Sequence, residues 1–424
     1  MRVRLEYGRS GLDVCLPDRN VVKCLGYQPA APLPFPEDAV RQRLANPLGT
    51  RPLAELARGR SSACVAICDV TRPVPNGLLL PPVLETLEAE GIPRERILIL
   101  VATGMHRPNH LDELREMVGD WIVERYRIAN HHGCDRSEHA FLGVSPRGVP
   151  AWIDNRYLSA ELKIAVGLIE PHFMAGFSGG RKVICPGLAS IDTVRVWHSP
   201  RFIEHPNART AVLEGNPIHE ENTWIARRAG CDFIVNAVID DQRRVLAVVA
   251  GDMEEAFHEG VGFVRRLVCD TVAEPVDIVV ATSAGYPLDA TYYQSVKGMV
   301  AAMDIVKPGG TIILAAGLSE GIGSPEFRGI FQEHASPEAF MHRILHTDYF
   351  KMDQWQVEEL ARVLRKARVV VVSDGIPADV LRRHYVETAP SVEDAVADCL
   401  ARYGADATIA VMPKGPYVVA NVAE

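Results

Sequence analysis

Several features that mark other protein classes are missing from this sequence. Its nine cysteines are scattered and form no C-x-x-C pair, which argues against a disulfide framework and against a zinc site built from thiolates. No apolar run reaches the roughly eighteen residues of a membrane-spanning helix. The opening segment, MRVRLEYGRSGLDV, also lacks the apolar stretch of a signal peptide. We therefore expect a cytoplasmic protein with no membrane partner.

The charge pattern excludes a further class of partner. The formal net charge is −9, and the charges are spread without blocks of one sign. A surface that binds nucleic acid needs a basic stripe, so no nucleic-acid partner is expected. Apolar residues make up 47% of the chain and charged residues 23%, which is the balance of a folded globular protein. At 424 residues the chain is too long for one ordinary core, which predicts two domains.

Buried strands alternate with helical segments along most of the chain, after an opening whose short runs predict an edge hairpin. Continuous apolar runs predict strands at 61–70, 95–104 and 161–170, and the alternation starts again in the second half. We expect an α/β protein with two domains, each with a mostly parallel sheet flanked by helices, and with the active site in the interdomain cleft. Residues 1–270 would form a cofactor-binding domain. Residues 271–424 would form a doubly wound domain, with the last residues returning to the first domain.

Polar residues follow the carboxyl ends of the three strands in the first half, the edge at which open parallel sheets hold ligands. His106 and His172 lie on two of these strand-end loops. They form a natural acid/base pair, because imidazole takes or gives a proton near neutral pH. Arg72 and Lys297 are expected to clamp a carboxylate, and Asp69 would orient a histidine or the arginine. The ordinary alternatives are structural histidines and surface ion pairs.

The stretch EPHFMAGFSGGRKVICPG, at 170–187, is the most unusual of the chain. Its small residues Ser178, Gly179 and Gly180 let backbone amides approach a ligand, so that consecutive N–H groups could cradle a phosphate. Lys182 stands beside them. It is a solvated surface charge, a phosphate contact or a covalent nucleophile toward an electrophilic cofactor, and spacing alone leaves all three open.

The remaining motifs suggest less chemistry. The cluster NHHGCD at 130–135 superficially suggests a metal site, but adjacent histidines on an extended segment point to opposite faces, so we expect a loop. His198, in VWHSP, lies in no metal motif, and taken alone it predicts a packed or hydrogen-bonded histidine. Gln294 and Lys297 share one helix face at a spacing of three. No G-x-G-x-x-G follows the first strand of the second half, so a dinucleotide bound in the Rossmann manner is not expected.

Taken together, these residues resemble the nickel-dependent lactate racemase family. Seven blocks carry the resemblance, in order, along nearly the whole chain: YGRSGLDVCLPD, DVTRPVP, TGMHRP, EPHFMAGFSGGRKVICPGLAS, VWHSP, GYPLDATYYQSVKGM and PKGPYVV. Seven ordered blocks are far more specific than any single motif.

The resemblance implies a cofactor. Members of this family carry a nickel-pincer nucleotide, the mononucleotide of pyridinium-3-thioamide-5-thiocarboxylic acid, in which Ni(II) is held by two sulfurs and a ring carbon. By the resemblance, His198 is the nickel ligand that completes a square plane, a geometry Ni(II) accepts. Lys182 is the covalent tether. The implied cofactor contacts are Lys182, Asp69, Ser178, Gly179 and Gly180. Proteins that synthesise the cofactor become expected partners.

The resemblance also implies a reaction. A 2-hydroxy acid would bind with Arg72 and Lys297 at its carboxylate or hydroxyl oxygen. One of the two strand-end histidines would remove the hydroxyl proton while hydride leaves C2 for the cofactor. Hydride would return to the other face of the planar 2-keto acid, and the opposite histidine would supply the proton. Gln294 and Tyr293 would hydrogen-bond the substrate, and Trp355 would form an apolar wall.

Two other functions stay open on the residues alone. A zinc-dependent hydrolase would use His106, His172 and His198, and a non-catalytic nucleotide-binding protein would need no catalytic histidine. The sequence does not decide which 2-hydroxy acid binds, or whether the enzyme is a racemase or an epimerase. It also leaves open whether the protein forms a homo-oligomer.

Overall fold

The computed structural model describes residues 1–240 and 242–423. The chain divides into two compact units. The middle unit comprises Pro29–Phe202 and Pro206–Arg266, and the terminal unit comprises Met1–Gln28, Ile203–His205 and the chain from Leu267 onwards. The first 28 residues therefore group with the C-terminal part of the chain, whereas the sequence assigned them to the N-terminal domain.

Strands and helices alternate through both units. The strands are β1 (Arg2–Leu5), β2 (Leu12–Cys15), β3 (Val21–Cys24), β4 (Ala63–Cys68), β5 (Ile97–Ala102), β6 (Arg127–Asn130), β7 (His139–Val144), β8 (Pro150–Asp154), β9 (Leu162–Leu168), β10 (Pro171–His172), β11 (Gly176–Phe177), β12 (Phe233–Ile239), β13 (Val245–Gly251), β14 (Cys269–Val272), β15 (Val276–Thr282), β16 (Val306–Ala315), β17 (Arg368–Val372), β18 (Glu387–Thr388), β19 (Ile409–Met412) and β20 (Val419–Val422).

The α-helices are α1 (Pro36–Ala45), α2 (Leu53–Ala57), α3 (Asn76–Ala89), α4 (Leu111–Val118), α5 (Asp120–Arg125), α6 (Asn155–Leu158), α7 (Ile191–Trp197), α8 (Pro200–Ile203), α9 (Pro217–Ala229), α10 (Glu255–Val268), α11 (Tyr292–Ala302), α12 (Pro325–Glu333), α13 (Pro337–His346), α14 (Gln354–Lys366), α15 (Ala378–Arg382) and α16 (Val392–Tyr403). Short 3₁₀ turns cover Arg94–Arg96, Arg136–Glu138, Gly180–Val183 and Gly415–Tyr417. No helix of the described residues is long and apolar enough to cross a membrane.

The sheet of the middle unit has the strand order β13-β12-β9-β4-β5-β6. Adjacent strands of this sheet run parallel, except β12 and β13, which run antiparallel. Strand β4 is buried from Ala63 to Ile67, as its unbroken apolar sequence predicts for a strand covered on both faces. Val40 of α1 and Leu80 and Leu84 of α3 pack in the same core as Val65.

The middle sheet places three strand ends side by side. Strand β4 pairs in parallel with both β5 and β9. Cys68, Ala102 and Leu168 therefore end their strands at one edge, and the loops that follow start from neighbouring points. These loops carry the polar residues that the sequence singled out.

The terminal unit has a second sheet, with the order β18-β17-β16-β15-β19-β3 and only parallel neighbours among the described pairs. A parallel ribbon of β14 and β20 lies in the same unit, so the last strand of the chain pairs within the terminal unit. Both main sheets are dominated by parallel pairs and flanked by helices, which confirms the predicted α/β class.

The N-terminal segment joins the terminal unit through its apolar side chains. Strand β3 pairs with β19 at the edge of the sheet. Strands β1 and β2 form an antiparallel hairpin, whose Val3, Leu5 and Val14 share a core with Ile278 of β15. A two-stranded hairpin is marginally stable alone, so it needs such a surface to pack against. The sequence predicted an edge hairpin from the runs at 2–8 and 21–27, but β1 pairs with β2, and the second run forms β3 at the edge of the main sheet.

Candidate active site

The loops after β4 and β5 join a buried carboxylate to a half-exposed histidine. Asp69 Oδ2 lies 2.7 Å from His106 Nδ1, and the Thr71 hydroxyl donates to Asp69 Oδ1 at 2.6 Å. Burial alone would raise the pKa of Asp69, but the hydrogen bonds from His106 and Thr71 outweigh it and lower the pKa. Asp69 is therefore a carboxylate that accepts from Nδ1–H, which leaves the Nε2 lone pair of His106 as the proton acceptor.

The Nδ1 atom of His172 accepts hydrogen bonds, whereas that of His106 donates one. Its Nδ1 accepts the backbone N–H groups of Met174 and Ala175, at 3.3 Å and 3.1 Å. An amide N–H can only donate, so Nδ1 of the neutral ring carries no hydrogen and Nε2 does. The ring also stacks on Phe173, with centroids 4.9 Å apart. The two predicted catalytic histidines therefore have different tautomers.

Arg72 forms an ion pair with Glu170, a residue that the sequence analysis did not predict to lie in the site. Its Nη1 donates to Glu170 Oε1 at 2.5 Å, and the Glu170 side chain is only 11% exposed. Glu170 follows β9 at the same sheet edge, two residues before His172. An acidic residue between a buried strand and a histidine is the signal that could have pointed to it. The charge of Arg72 also contributes to the low pKa of Asp69.

The glycine-rich loop is shaped by close packing against β9 and β12. Gly179 has a φ of +86°, and a Cβ there would lie 2.8 Å from Asn236 Oδ1 and 2.9 Å from the Leu168 carbonyl oxygen. Only glycine fits both this backbone and this gap. Gly180 N–H donates to the same Asn236 oxygen at 3.2 Å. The loop is therefore fixed by a buried amide of the neighbouring strand.

Several amides of the glycine-rich loop donate within the protein. The N–H groups of Ser178, Gly180 and Lys182 donate to Glu170 O, Asn236 Oδ1 and Gly179 O. Two of these amides, those of Ser178 and Gly180, belong to the predicted phosphate cradle. The Ser178 hydroxyl is buried and has no hydrogen-bond partner among the described residues. It is, with Arg181 Nε, a buried polar atom of the loop for which a ligand would supply a partner.

Arg181 and Lys182 are neighbours with different surroundings. Arg181 is 1% exposed, stacks 4.2 Å over the Phe257 ring and donates to the Ala175 carbonyl oxygen at 3.1 Å. Burial lowers its pKa to about 9. Lys182 is only partly buried, so of the two cations it is the one with access to a ligand.

Lys182 and His198 lie close enough to interact electrostatically. His198 directly follows α7 and packs on the Trp197 indole, with ring centroids 4.0 Å apart. Burial, and then the charge of Lys182, lower the pKa of His198 to about 3. The imidazole is therefore neutral at neutral pH, which is the form that binds a metal. No group of three or more His, Cys, Asp or Glu side chains is arranged to hold a metal within the described residues.

The polar cluster at 130–135 begins with the last residue of β6, Asn130, and continues as a loop. His131 is fully buried, whereas His132 is half exposed and contacts Glu138 at 3.1 Å. The two rings therefore point to opposite sides, as the spacing predicted.

The terminal unit brings its predicted substrate residues together in two pairs. Lys297 Nζ donates to Gln294 Oε1 at 2.6 Å, which the spacing of three on α11 predicted. Trp355 Nε1 donates to the Tyr293 hydroxyl at 3.0 Å. Burial, and then the negative charge of Asp353, raise the pKa of Tyr293, so its hydroxyl keeps its proton.

Comparison with known proteins decides the family. Models of the lactate racemase N-terminal and C-terminal domains match residues 7–211 and 271–420. The chain belongs to the lactate racemase family. A lactate racemase of Lactiplantibacillus plantarum is 39% identical over 385 residues, covering 90% of both chains. One of Thermoanaerobacterium thermosaccharolyticum is 36% identical over 421 residues, covering 98% of both.

Solved structures agree with this assignment. The structure of this chain matches that of the lactate racemase apoprotein from Thermoanaerobacterium thermosaccharolyticum with a TM-score of 0.94. The two sequences are 35% identical, and the match covers 99% of this chain and 100% of that one. A protein from Thermotoga maritima matches with a TM-score of 0.70 and 18% identity, over 93% of this chain and 100% of that one. At that identity the second match supports the fold alone.

Proposed function

We propose that this protein is a racemase or epimerase of a 2-hydroxy acid, with lactate as the first candidate substrate. The observation that carries the proposal is the bond between Asp69 and His106, in a chain whose lactate racemase relatives match along nearly its whole length. A base of this kind is what removal of a hydroxyl proton requires.

His106 would take the first proton. Its Nε2 accepts the hydroxyl hydrogen of the substrate, and the imidazolium that forms keeps its Nδ1–H bond to the Asp69 carboxylate. A buried carboxylate stabilises that cation, because opposite charges interact more strongly away from water. Arg72 would bind the substrate carboxylate, with its guanidinium oriented by Glu170.

His172 would serve the opposite side of the substrate. In its resting tautomer it offers an Nε2–H hydrogen bond to the substrate oxygen. To deliver a proton it must first be protonated at Nδ1, where the Met174 and Ala175 amides now donate. A change in these two hydrogen bonds therefore accompanies each proton transfer at His172.

The nickel-pincer nucleotide is the cofactor we propose for this site. Lys182 would tether it, and the neutral His198 would supply the protein nitrogen to Ni(II). Two observations support a polar ligand beside the glycine-rich loop. The Ser178 hydroxyl is buried without a partner among the described residues, and the charge of Lys182 acts on the His198 ring. When bound, the cofactor supplies a reversible acceptor for the hydride of C2. We also propose that Asp69 and Gly179 contact the cofactor.

The terminal-unit residues complete the proposal. Lys297 would bind a substrate oxygen, and Gln294 accepts its ammonium hydrogen and so limits where the charge can point. Tyr293 would donate to the substrate, with its hydroxyl oriented by Trp355. The Trp355 ring would form an apolar wall.

The experiment that tests the function uses protein made together with the cofactor-synthesis proteins. Intact and peptide mass spectra should show an adduct on Lys182 accompanied by nickel, and chiral chromatography should show interconversion of D- and L-lactate. A Lys182→Ala variant should carry no adduct and no activity. A panel of longer, aromatic and dicarboxylic 2-hydroxy acids identifies the preferred substrate. A fully loaded protein that interconverts none of them would contradict the proposal.

A further inference from the structure

A buried pair of histidines is hydrogen-bonded to the loop that carries His106. His131 follows β6 and His139 begins β7, and the two residues are 0% and 5% exposed. Their Nε2 atoms are 2.8 Å apart, and the rings meet edge to face. The proposed reaction gives neither residue a role.

The partners of this pair determine where its hydrogens lie. His139 Nδ1 is 2.8 Å from the Asp135 carbonyl oxygen, which can only accept, so Nδ1 of His139 carries a hydrogen. Nε2 of the neutral His139 ring is then an acceptor, and His131 donates to it. Each ring therefore has one fixed orientation, and the pair is a rigid, buried polar contact.

Thr103 connects the pair to the loop of His106. The Thr103 hydroxyl donates to the His131 carbonyl oxygen at 2.8 Å. The His131 Nδ1 atom lies 3.3 Å from the same hydroxyl, but the link to Thr103 is the bond to the backbone carbonyl. The Thr103 carbonyl oxygen accepts the His106 N–H at 2.9 Å. His139, His131, Thr103 and His106 thus form one continuous series of hydrogen-bonded residues.

A second contact joins the same two segments at Gly133. A Cβ at Gly133 would lie 1.9 Å from Met105 Cε and 2.6 Å from the Gly104 carbonyl oxygen. The Gly133 carbonyl oxygen is fixed in turn by the Ile191 N–H at 2.8 Å. The loop after β6 therefore touches three consecutive residues that precede His106: Thr103, Gly104 and Met105.

We propose that His131, held in place by His139, is a positioning residue for proton transfer at His106. It does not reach the substrate. It fixes Thr103 and the turn that starts there, and that turn keeps His106 Nδ1 within bonding distance of Asp69. This inference rests on the proposed role of His106 as the base. A displacement of about 1 Å at such a group can lower the rate about a hundredfold.

The test compares four full-length variants with the unsubstituted protein. His131→Leu removes both ring nitrogens and keeps much of the volume. His131→Gln restores an amide that can donate to His139. Thr103→Val removes only the hydroxyl and keeps the shape of the side chain. His132→Leu is the matched control, because His132 is the half-exposed neighbour.

Two readouts are needed. The first is the ring ¹⁵N shifts of His106 in the apoprotein, which report the fraction of the ring protonated at Nδ1. The second is kcat and KM for racemisation by the loaded protein. We expect His131→Leu and Thr103→Val to mix the His106 tautomers and to lower kcat about ten- to a hundredfold, with KM changed less than about twofold. His131→Gln should recover most of both readouts, and His132→Leu should change neither.

The inference is wrong if folded His131→Leu protein keeps His106 protonated at Nδ1 and keeps its kcat. Should that variant fail to fold, Thr103→Val decides by the same two criteria. If the unsubstituted loaded protein does not racemise any 2-hydroxy acid, the proposed function fails. The ring shifts of the apoprotein then still decide whether His131 positions His106.

Discussion

Asp69 Oδ2 and His106 Nδ1 are 2.7 Å apart, with the carboxylate side chain 7% exposed and the imidazole 51% exposed. Asp69 directly follows β4, and His106 lies in the loop after the neighbouring parallel strand β5, so the sheet brings the two loops together at one edge. The buried partner fixes the tautomer, and the exposed partner presents Nε2 to solvent or to a substrate. This division of roles underlies the proposed base.

Replacement of the carboxylate should remove most of the activity. We expect Asp69→Asn to lower kcat about a hundredfold or more with a smaller effect on KM, because the amide neither holds the Nδ1–H tautomer nor stabilises the imidazolium. Steady-state kinetics of the loaded enzyme measure this. Thr71→Val is the matched control, since it removes only the hydroxyl that donates to the other carboxylate oxygen. It should change kcat less than about tenfold. An Asp69→Asn enzyme with an unchanged kcat would rule out this role.

The tautomers of the two histidines can be observed without any activity. In ¹⁵N-histidine-labelled apoprotein at neutral pH, His106 should show a protonated Nδ1 and His172 a protonated Nε2. The Asp69 carboxylate is the physical reason for the first, and the Met174 and Ala175 amides for the second. His106→Gln and His172→Gln proteins assign the signals. Equal tautomer populations in both rings would contradict the assignment of roles.

The glycine-rich loop should not tolerate a side chain at Gly179. Gly179→Ala combines a φ of +86° with a Cβ 2.8 Å from Asn236 Oδ1, and we expect a loss of about 1–3 kcal/mol in the free energy of unfolding. Gly119→Ala is a matched control, because Gly119 has a φ of +87° with no atom within 4 Å of the added Cβ. Urea titration should rank Gly179→Ala below it, and the Lys182 adduct should decrease only in the Gly179 variant. Equal stabilities would show that the packing is loose.

The terminal unit should lose stability as the pH rises through neutrality. Burial raises the pKa of Glu359 to about 7 despite the nearby charge of Arg362, whereas a glutamate in an unfolded chain titrates near about 4.3. The folded state thus binds this proton more tightly. The resulting stabilisation is complete below the unfolded pKa and is lost as the pH rises through about 7.

Glu359→Gln should flatten this dependence. Between pH 5 and 8 the Tm of the unsubstituted protein should fall more than that of the variant, by on the order of a few degrees. Glu274→Gln, at an exposed position, should follow the unsubstituted protein. Parallel Tm curves for the two variants would show that Glu359 does not titrate in this range.

The sequence predicted the main strands and the edge where the polar loops meet. Strands β4, β5 and β9 are unbroken apolar runs that end in polar residues, and such runs form parallel strands whose carboxyl ends share an edge. The Gln294–Lys297 contact and the opposed directions of His131 and His132 follow from local spacing alone. Helices α12 and α13 were missed, although Ser324 and Ser336 cap them and a proline follows each serine, which is a recognisable start signal.

What the sequence could not predict depends on contacts between distant segments. The bond between Arg72 and Glu170 joins residues at the ends of two different strands. The tautomers of His106 and His172 depend on which group each Nδ1 meets. The partner of the Gly180 amide is a further example, since this amide donates to Asn236 of β12, which local spacing does not indicate. The N-terminal hairpin likewise has no sequence signal for the core it joins.

Racemisation of lactate deuterated at C2, by the loaded protein in ordinary water, distinguishes hydride transfer from proton abstraction at C2. If hydride leaves C2 while His106 takes the hydroxyl proton, both enantiomers keep their deuterium and the reaction is slower than with protiated lactate. Exchange of the deuterium with solvent during racemisation would mean that C2 loses a proton, and would rule out hydride transfer.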